Sequence, residues 1–296
     1  MRALPEIVVV AYGAPALLRE TLAPLAGFAV TVVDNSSSPE VAAVAREVGA
    51  AYWDPGANLG FGAGVNHALA RRRTPGADVL LLNPDAVVDP DAIRALQAAM
   101  HAEARIATVG PAQFDADGQR AQVSWPYPHP LEYVARMVRL ERFLRERPRY
   151  VIGSVLLMNA EALASVGGFD EGFFLYAEEA DWQYRAHQAG WRNVVRHDVT
   201  ATHVGAGTST DPVRREVFLQ AGQERFLRKH YGVWGWRAAR WAVVVGSLPR
   251  RVLLRGARRG AARDRGLLFR RGPVAVEATY RPRVPRAAGA ADGGRA

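Results

Sequence analysis

Short runs of β-branched residues alternate with alanine- and leucine-rich stretches through the first 110 residues, and this rhythm restricts the fold more than any other feature. EIVVVA precedes a helical pattern at 15–26; FAVTVVD follows, and a second helix starts after the Ser-Ser-Pro turn at 37–39. AAYWD, a helix at about 61–73, the strand DVLLLN, a helix opening near Pro90 and Asp91, and the strand RIATVG ending at Gly110 continue the series. Strand–helix–strand alternation marks a parallel sheet with helices on its faces. A run apolar at every position, such as VLLL, expects burial on both sides. The predicted class is α/β, with a Rossmann-like, mostly parallel central sheet.

The rhythm stops at 111–149, where Pro126, Pro128 and Pro130 stand beside Trp125 and Tyr127 and an arginine-rich amphipathic helix follows, a pattern that reads as an insertion or lid. A strand YVIGSVLLMN comes next, then a short helix ending at Gly167 and Gly168, a helix at about 178–189, strands near 193–195 and 199–203, and a helix at about 213–231.

The chain has 296 residues and no cysteine, so disulfide scaffolds, thiolate zinc sites and thiol nucleophiles are excluded. No apolar run reaches the roughly 20 residues of a membrane span, and the start lacks a signal-peptide pattern, so a cytoplasmic chain is expected. The net charge of +9 is unevenly placed: fifteen arginines and three acids after Trp236 leave residues 1–236 at −3. The segment WGWRAARWAVVVGSLPRRVLL mixes tryptophans, a short apolar core and arginines, which suits the plane of a membrane interface.

Five polar motifs carry candidate chemistry. In VVDNSSS, Asp34 ends a strand, where it either accepts the imide N–H of a uracil or thymine ring, with Asn35 and Ser36 beside it, or caps the next turn. NLGFGAGVN, 58–66, runs three glycines into a helix, as a phosphate cradle or a plain turn. LLLNPD places Asn83 and Asp85 at a strand end, where Asp85 serves as a turn former or a cation ligand. In GGFDEGFFLYAEEADWQYR, Glu178, Glu179 and Asp181 open a helix behind an apolar stretch, a setting that can raise a carboxyl pKa toward that of a general base. THVGAGTST sets His203 before a Gly-rich polar turn.

In this order the motifs resemble the family-2 inverting glycosyltransferases of the GT-A fold, and most of all the bacterial rhamnosyltransferase-like branch, over residues 6–231. The resemblance implies a nucleotide-sugar site formed by Ala11, Tyr12, Gly13, Asp34, Asn35, Ser36, Asn58, Gly60, Phe61, Gly62, Asn66, Asn83 and Asp85. It implies Asp85 and His203 as ligands of Mn2+ or Mg2+, with Asn83 at the first position of the D-x-D-like motif. It makes Glu179, which stands where the family usually has Asp, the catalytic base, with Asp181 as the alternative, and gives the acceptor Trp125, Phe174, Tyr176, Glu178, Trp182 and Arg185.

The expected reaction moves a sugar such as rhamnose from a dTDP- or UDP-sugar to a glycan or polyprenyl-diphosphate-linked acceptor in bacterial cell-wall or polysaccharide synthesis. The expected domains are a GT-A domain at 1–231, divided at 110 and 150, a basic membrane-associating extension at 232–272 and a disordered tail at 273–296. An anionic membrane surface is the expected partner of the extension, placing the enzyme on the inner face of the cell membrane. A silent nucleotide-sugar-binding homologue is the competing reading. A nucleic-acid-binding protein fits less well, because residues 1–236 are acidic, and a sugar nucleotidyltransferase would carry a Gly-rich basic loop where this chain has AYGAPALL.

Overall fold

The computed structural model describes residues 2–205 and 211–281. Eleven strands and ten helices follow one another as β1 (Glu6–Ala11), α1 (Pro15–Leu22), β2 (Val30–Asp34), α2 (Pro39–Glu47), β3 (Ala51–Trp53), α3 (Phe61–Leu69), β4 (Val79–Leu82), β5 (Ala86–Val87), α4 (Pro90–Ala102) and β6 (Ile106–Phe114). The chain continues as β7 (Arg120–Ala121), β8 (Ser124–Pro126), α5 (Pro130–Met137), β9 (Arg149–Val151), β10 (Val155–Met158), α6 (Ala160–Val166), α7 (Glu178–Gln188), β11 (Arg192–His203), α8 (Pro212–Leu253), α9 (Gly256–Arg271) and α10 (Pro273–Glu277).

The main sheet runs β3-β2-β1-β4-β10-β6-β11-β5, with β7 on the edge of β6. β1, β2, β3 and β4 pair in parallel, β6 and β11 pair in parallel, and β10 lies antiparallel between β4 and β6. One face is packed by α1, α2 and α4 through Leu18, Val41, Ile93 and Leu96, and the other by α3, α6 and α7 through Val65, Leu163 and Trp182. All four residues of VLLL in β4 are buried, as continuous apolarity requires. Local signals set the helix starts: Ser38 accepts from Val41 N and Asp89 from Asp91 N, each followed by a proline at the first helical position.

Several segments differ from the sequence expectation. The strand expected across YVIGSVLLMN is two strands: β9 turns away at Ile152 to pair with β8, and β10 enters the main sheet. The two short strands expected near 193–203 are one strand, β11, with a bulge between Arg196 and Thr200. α3 stops at Leu69, short of Arg73. The helix expected to end near Tyr231 continues to Leu253 with a break at Gly232, whose φ of 66° and ψ of −172° only glycine adopts without strain.

After that break the chain does not leave the domain. Trp236, Ala239 and Phe269 pack with Leu227 and Tyr133 in one core, so α8, α9 and α5 form a helical layer. The first part of the expected disordered tail is also ordered: α10 carries Glu277, fully buried between Arg225 and Arg281. Residues 282–296, the rest of that tail, lie outside the described residues. On its outer side the second half of α8 leaves Trp234, Trp241, Val245, Leu248 and Val252 exposed at helical spacing. No helix among the described residues is long and apolar enough to cross a membrane.

Candidate functional site

The carboxyl edges of β1 and β4, the start of α3 and the loop before α7 enclose a cavity of about 290 Å³, lined by Tyr12, Asn35, Asn58, Gly60, Phe61 and Asn83 among others. The glycine loop is built for close approach. A Cβ on Gly60, at φ 86°, would stand 2.3 Å from the Phe174 carbonyl oxygen, and Phe61 N donates to that same oxygen at 2.9 Å. Asn35 Nδ2, just after β2, donates to the Gly60 carbonyl at 3.0 Å and so ties the loop to the end of that strand, while Asn58 Oδ1 accepts from Gly60 N at 3.0 Å and closes a turn within the loop.

Three residues expected at the nucleotide are bonded into the frame. Asp34 is fully buried: Oδ1 accepts from Ser36 N at 2.9 Å and Ser36 Oγ at 2.5 Å, while Oδ2 accepts from Ser38 N at 2.8 Å and the Tyr52 hydroxyl at 3.0 Å. Its lone pairs are spent on the turn, and burial together with this carboxylate pushes the Tyr52 phenol up to about 12. Ser36 Oγ accepts from Gly13 N at 2.9 Å, and Ala11, fully buried, gives its carbonyl to Asn35 N. Asn66 grips the backbone of Phe169 from both sides, at 2.8 and 2.9 Å; it borders a second, more open cavity of about 600 Å³ with Asn58, His67, Glu171, Phe174 and Arg281.

The loop 174–177 leads into the acids. Tyr176 and Ala177 both adopt left-handed backbone, φ 68° and 70°, which β-carbon-bearing residues hold only when neighbours enforce it. The enforcing contacts are two glycines: Gly60 against the Phe174 carbonyl, and Gly222 on α8, where a Cβ would stand 2.3 Å from the Tyr176 carbonyl oxygen. Glu178 and Glu179 then start α7 side by side. Each has one carboxyl oxygen buried without a hydrogen-bond partner among the described residues. Burial pushes the Glu178 carboxyl well up, with the neighbouring Glu179 charge adding to it. Burial also raises Glu179, against backbone hydrogen bonds that include one at Gly153. A Cβ on Gly153 would lie 3.7 Å from both the Glu179 Cβ and the Phe61 ring, so this acid stands beside a cavity wall. Gly62 backs onto the Glu178 side chain, and a Cβ added to it would lie 3.4 Å from the Glu178 Cβ.

Asp181, Trp182 and Arg185 are structural. Asp181 is fully buried and meets Arg185 Nε at 3.0 Å, Lys229 Nζ at 2.8 Å and His230 Nε2 at 2.8 Å. Burial works to raise its pKa, but these partners win and hold it below the ordinary carboxylate value. Trp182 is core and donates to the Gly167 carbonyl at 2.7 Å, while Arg185 closes the Val166 and Gly168 carbonyls. Trp125 reaches the acids through Tyr150, on which it stacks at 6.5 Å and whose hydroxyl pKa is raised by burial and then by Glu179.

Beyond the cavity-lining Asn83, Asp85 is 5% exposed and its Oδ1 lies 3.2 Å from His203 Nε2, which is 3.4 Å from the Asn83 amide nitrogen. No third His, Cys, Asp or Glu joins this pair among the described residues. One carboxylate and one imidazole suit a hard cation that takes its remaining ligands from phosphate and water. The turn 206–210 behind His203 lies outside the described residues. Arg214 and Arg215, at the start of α8, also line the cavity, as does Phe218; the sequence reading overlooked them.

Residues 6–222 match the family described as glycosyltransferase like family 2. An N-acetylglucosaminyl-diphospho-decaprenol L-rhamnosyltransferase of Mycobacterium tuberculosis is 32% identical over 246 residues, covering 72% of this chain and 79% of its own length. A low-salt glycan biosynthesis hexosyltransferase of Haloferax volcanii is 26% identical over 192 residues, 62% of this chain and 61% of its own. A mannosyltransferase from Pyrobaculum calidifontis, in complex with GDP-Man and Mn2+, shares the fold at a TM-score of 0.56 and 13% identity, covering 95% of this chain and 85% of that one.

Proposed function

Because this chain belongs to glycosyltransferase family 2 and has its GT-A fold, we propose that it is an inverting hexosyltransferase that moves a sugar, rhamnose by its likeness to the mycobacterial enzyme, from a dTDP- or UDP-sugar to a polyprenyl-diphosphate-linked glycan. The observation that carries this reading is the buried acid pair Glu178–Glu179, which follows the cavity-lining residues Phe174 to Tyr176, together with Asp85 and His203, which adjoin the cavity-lining Asn83.

Inversion needs one displacement. Glu179 takes the proton of the acceptor hydroxyl, the oxygen bonds to the anomeric carbon, and the bond from that carbon to the diphosphate breaks on the opposite face. The raised pKa of Glu179 makes its carboxylate a stronger base, and burial together with the Glu179 charge favours the protonated form of Glu178, which lessens negative charge beside the reacting hydroxyl. Mn2+ or Mg2+ held by Asp85 and His203 would supply positive charge to the leaving diphosphate.

The acceptor of the mycobacterial relative is lipid-linked by its name. The exposed row from Trp234 to Val252, amid the arginines of α8 and α9, supports docking on an anionic membrane surface at the inner face of the cell membrane, as cell-wall biogenesis would need. The test is transfer from dTDP-rhamnose and UDP-sugars to a short polyprenyl-diphosphate N-acetylglucosamine, with the product anomer read by NMR. Inverted product is expected. Retained configuration overturns the mechanism, and donor binding without transfer to this acceptor overturns the acceptor assignment in favour of a silent nucleotide-sugar-binding protein.

A further inference from the structure

The cavity that the donor would occupy has neutral walls on the sheet side, among them Asn83 and Pro84, and the buried Asp85 follows them in sequence. A diphosphate entering there brings negative charge toward a buried carboxylate, and a cation alone at Asp85 meets only part of that charge. Two cationic side chains among the described lining residues stand opposite, Arg214 and Arg215, both in the first turn of α8.

The Arg214 guanidinium lies over the Phe218 ring, 5.4 Å from its centroid, so the aromatic face steadies it. Arg215 stands close enough to Tyr176 for its charge to oppose the rise that burial gives the Tyr176 phenol. The α8 end itself is already taken, because Asp211 Oδ1 accepts from Val213 N at 2.9 Å and Arg214 N at 3.1 Å. What remains for an anion is the pair of guanidinium forks, whose planar donors match phosphate oxygens two at a time.

We infer that Arg214 and Arg215 grip the diphosphate of the nucleotide donor and hold it as it departs, making the site selective for nucleoside diphosphates over nucleosides. The inference rests on the glycosyltransferase reading of this cavity and adds residues that no motif of the sequence pointed to. Gly222, further along α8, fixes the Tyr176 carbonyl, so the helix that carries the grip is already registered against the donor loop.

The experiment is a binding titration of the full-length chain, with manganese present, using dTDP, UDP, thymidine and uridine against wild type, Arg214→Gln/Arg215→Gln and Arg214→Lys/Arg215→Lys. The glutamine pair is expected to weaken diphosphate binding by about 30-fold and leave nucleoside binding within about twofold, with the lysine pair between them, because charge-assisted hydrogen bonds to phosphate are lost in steps. A glutamine pair that keeps the wild-type preference for diphosphate over nucleoside overturns the inference while leaving the donor site standing. A wild type that binds neither dTDP nor UDP removes the donor reading and this inference together. Arg214 is half-buried and Arg215 exposed, so the fold is expected to survive, and an unchanged melting midpoint without ligand checks that.

Discussion

Lys229, the one lysine of the chain, places its ammonium 2.8 Å from the Asp181 carboxylate and 2.6 Å from that of Asp170. A compact ammonium can sit between two carboxylates where a planar guanidinium would have to choose its edge. The contact ties the loop that carries Phe173 and Phe174 to α7, and it occupies Asp181, leaving Glu179 as the acid beside the cavity.

Removing that tie is expected to show in stability. Asp181→Asn strands three basic groups around a buried site and should lower unfolding free energy by about 3 kcal/mol, as breaking a buried ion pair does. Urea unfolding measures it, and a loss below about 1 kcal/mol would return Asp181 to the list of dispensable acids.

Glu179→Gln should do the opposite. Turnover is expected to fall by roughly 10³, the range for loss of a general base, with donor affinity and melting midpoint close to wild type. Steady-state kinetics beside a donor titration separates the two, and turnover within about tenfold of wild type would move the base to another group.

The acid pair also predicts a pH dependence of stability. Both carboxyls have folded pKa values above their ordinary 4.5. Their contribution is therefore fully present below about pH 4.5 and is lost as pH rises through the folded values. Glu178→Gln removes one of them, so its melting midpoint should gain on wild type steadily between about pH 4.5 and 8. A difference that stays constant over that range would show that Glu178 does not titrate as described.

Gly222→Ala puts a methyl group against the Tyr176 carbonyl and should cost about 1–3 kcal/mol and weaken donor binding, because the left-handed turn has to move. Gly260→Ala, in α9 with nothing within 4 Å of its Cβ, is the control and should stabilise slightly through helix propensity. Equal effects from the two would remove the steric argument.

For the membrane face, Trp234→Ser, Trp241→Ser and Leu248→Ser together should reduce flotation with anionic vesicles by about tenfold without lowering the melting midpoint, since all three side chains are exposed. Truncation at Tyr231 would be a poor substitute, because it opens the core of Leu227, Trp236 and Phe269.

The sheet was legible because strands buried on two faces are apolar at every position, and the helix starts because Ser38 and Asp89 announce themselves beside prolines. The break within YVIGSVLLMN was passed over because apolar residues flank it on both sides, although Gly153 and Ser154 interrupt the strand composition where the backbone changes partner. Asn35, Asn58 and Gly60 line one cavity, and Asp34 was ambiguous from the start: a strand-end carboxylate that meets four donors from Ser36, Ser38 and Tyr52 looks the same in sequence as one that meets a base. Arg214 and Arg215 were hidden by the abundance of arginine, and Gly222 carried the one overlooked signal, a glycine within an uninterrupted helical pattern, which often marks a close backbone approach.

Arg281 lies over the Phe174 ring at 4.9 Å, almost 50 residues after the break at Gly232. The last described residues thus return to Phe174, which lines the candidate cavity, and the chain closes on itself like a belt around that loop. A hybrid enzyme that exchanged α8 to α10 with those of a relative would inherit a foreign buckle, and would have to import residues 170–177 with it to recover a working donor pocket.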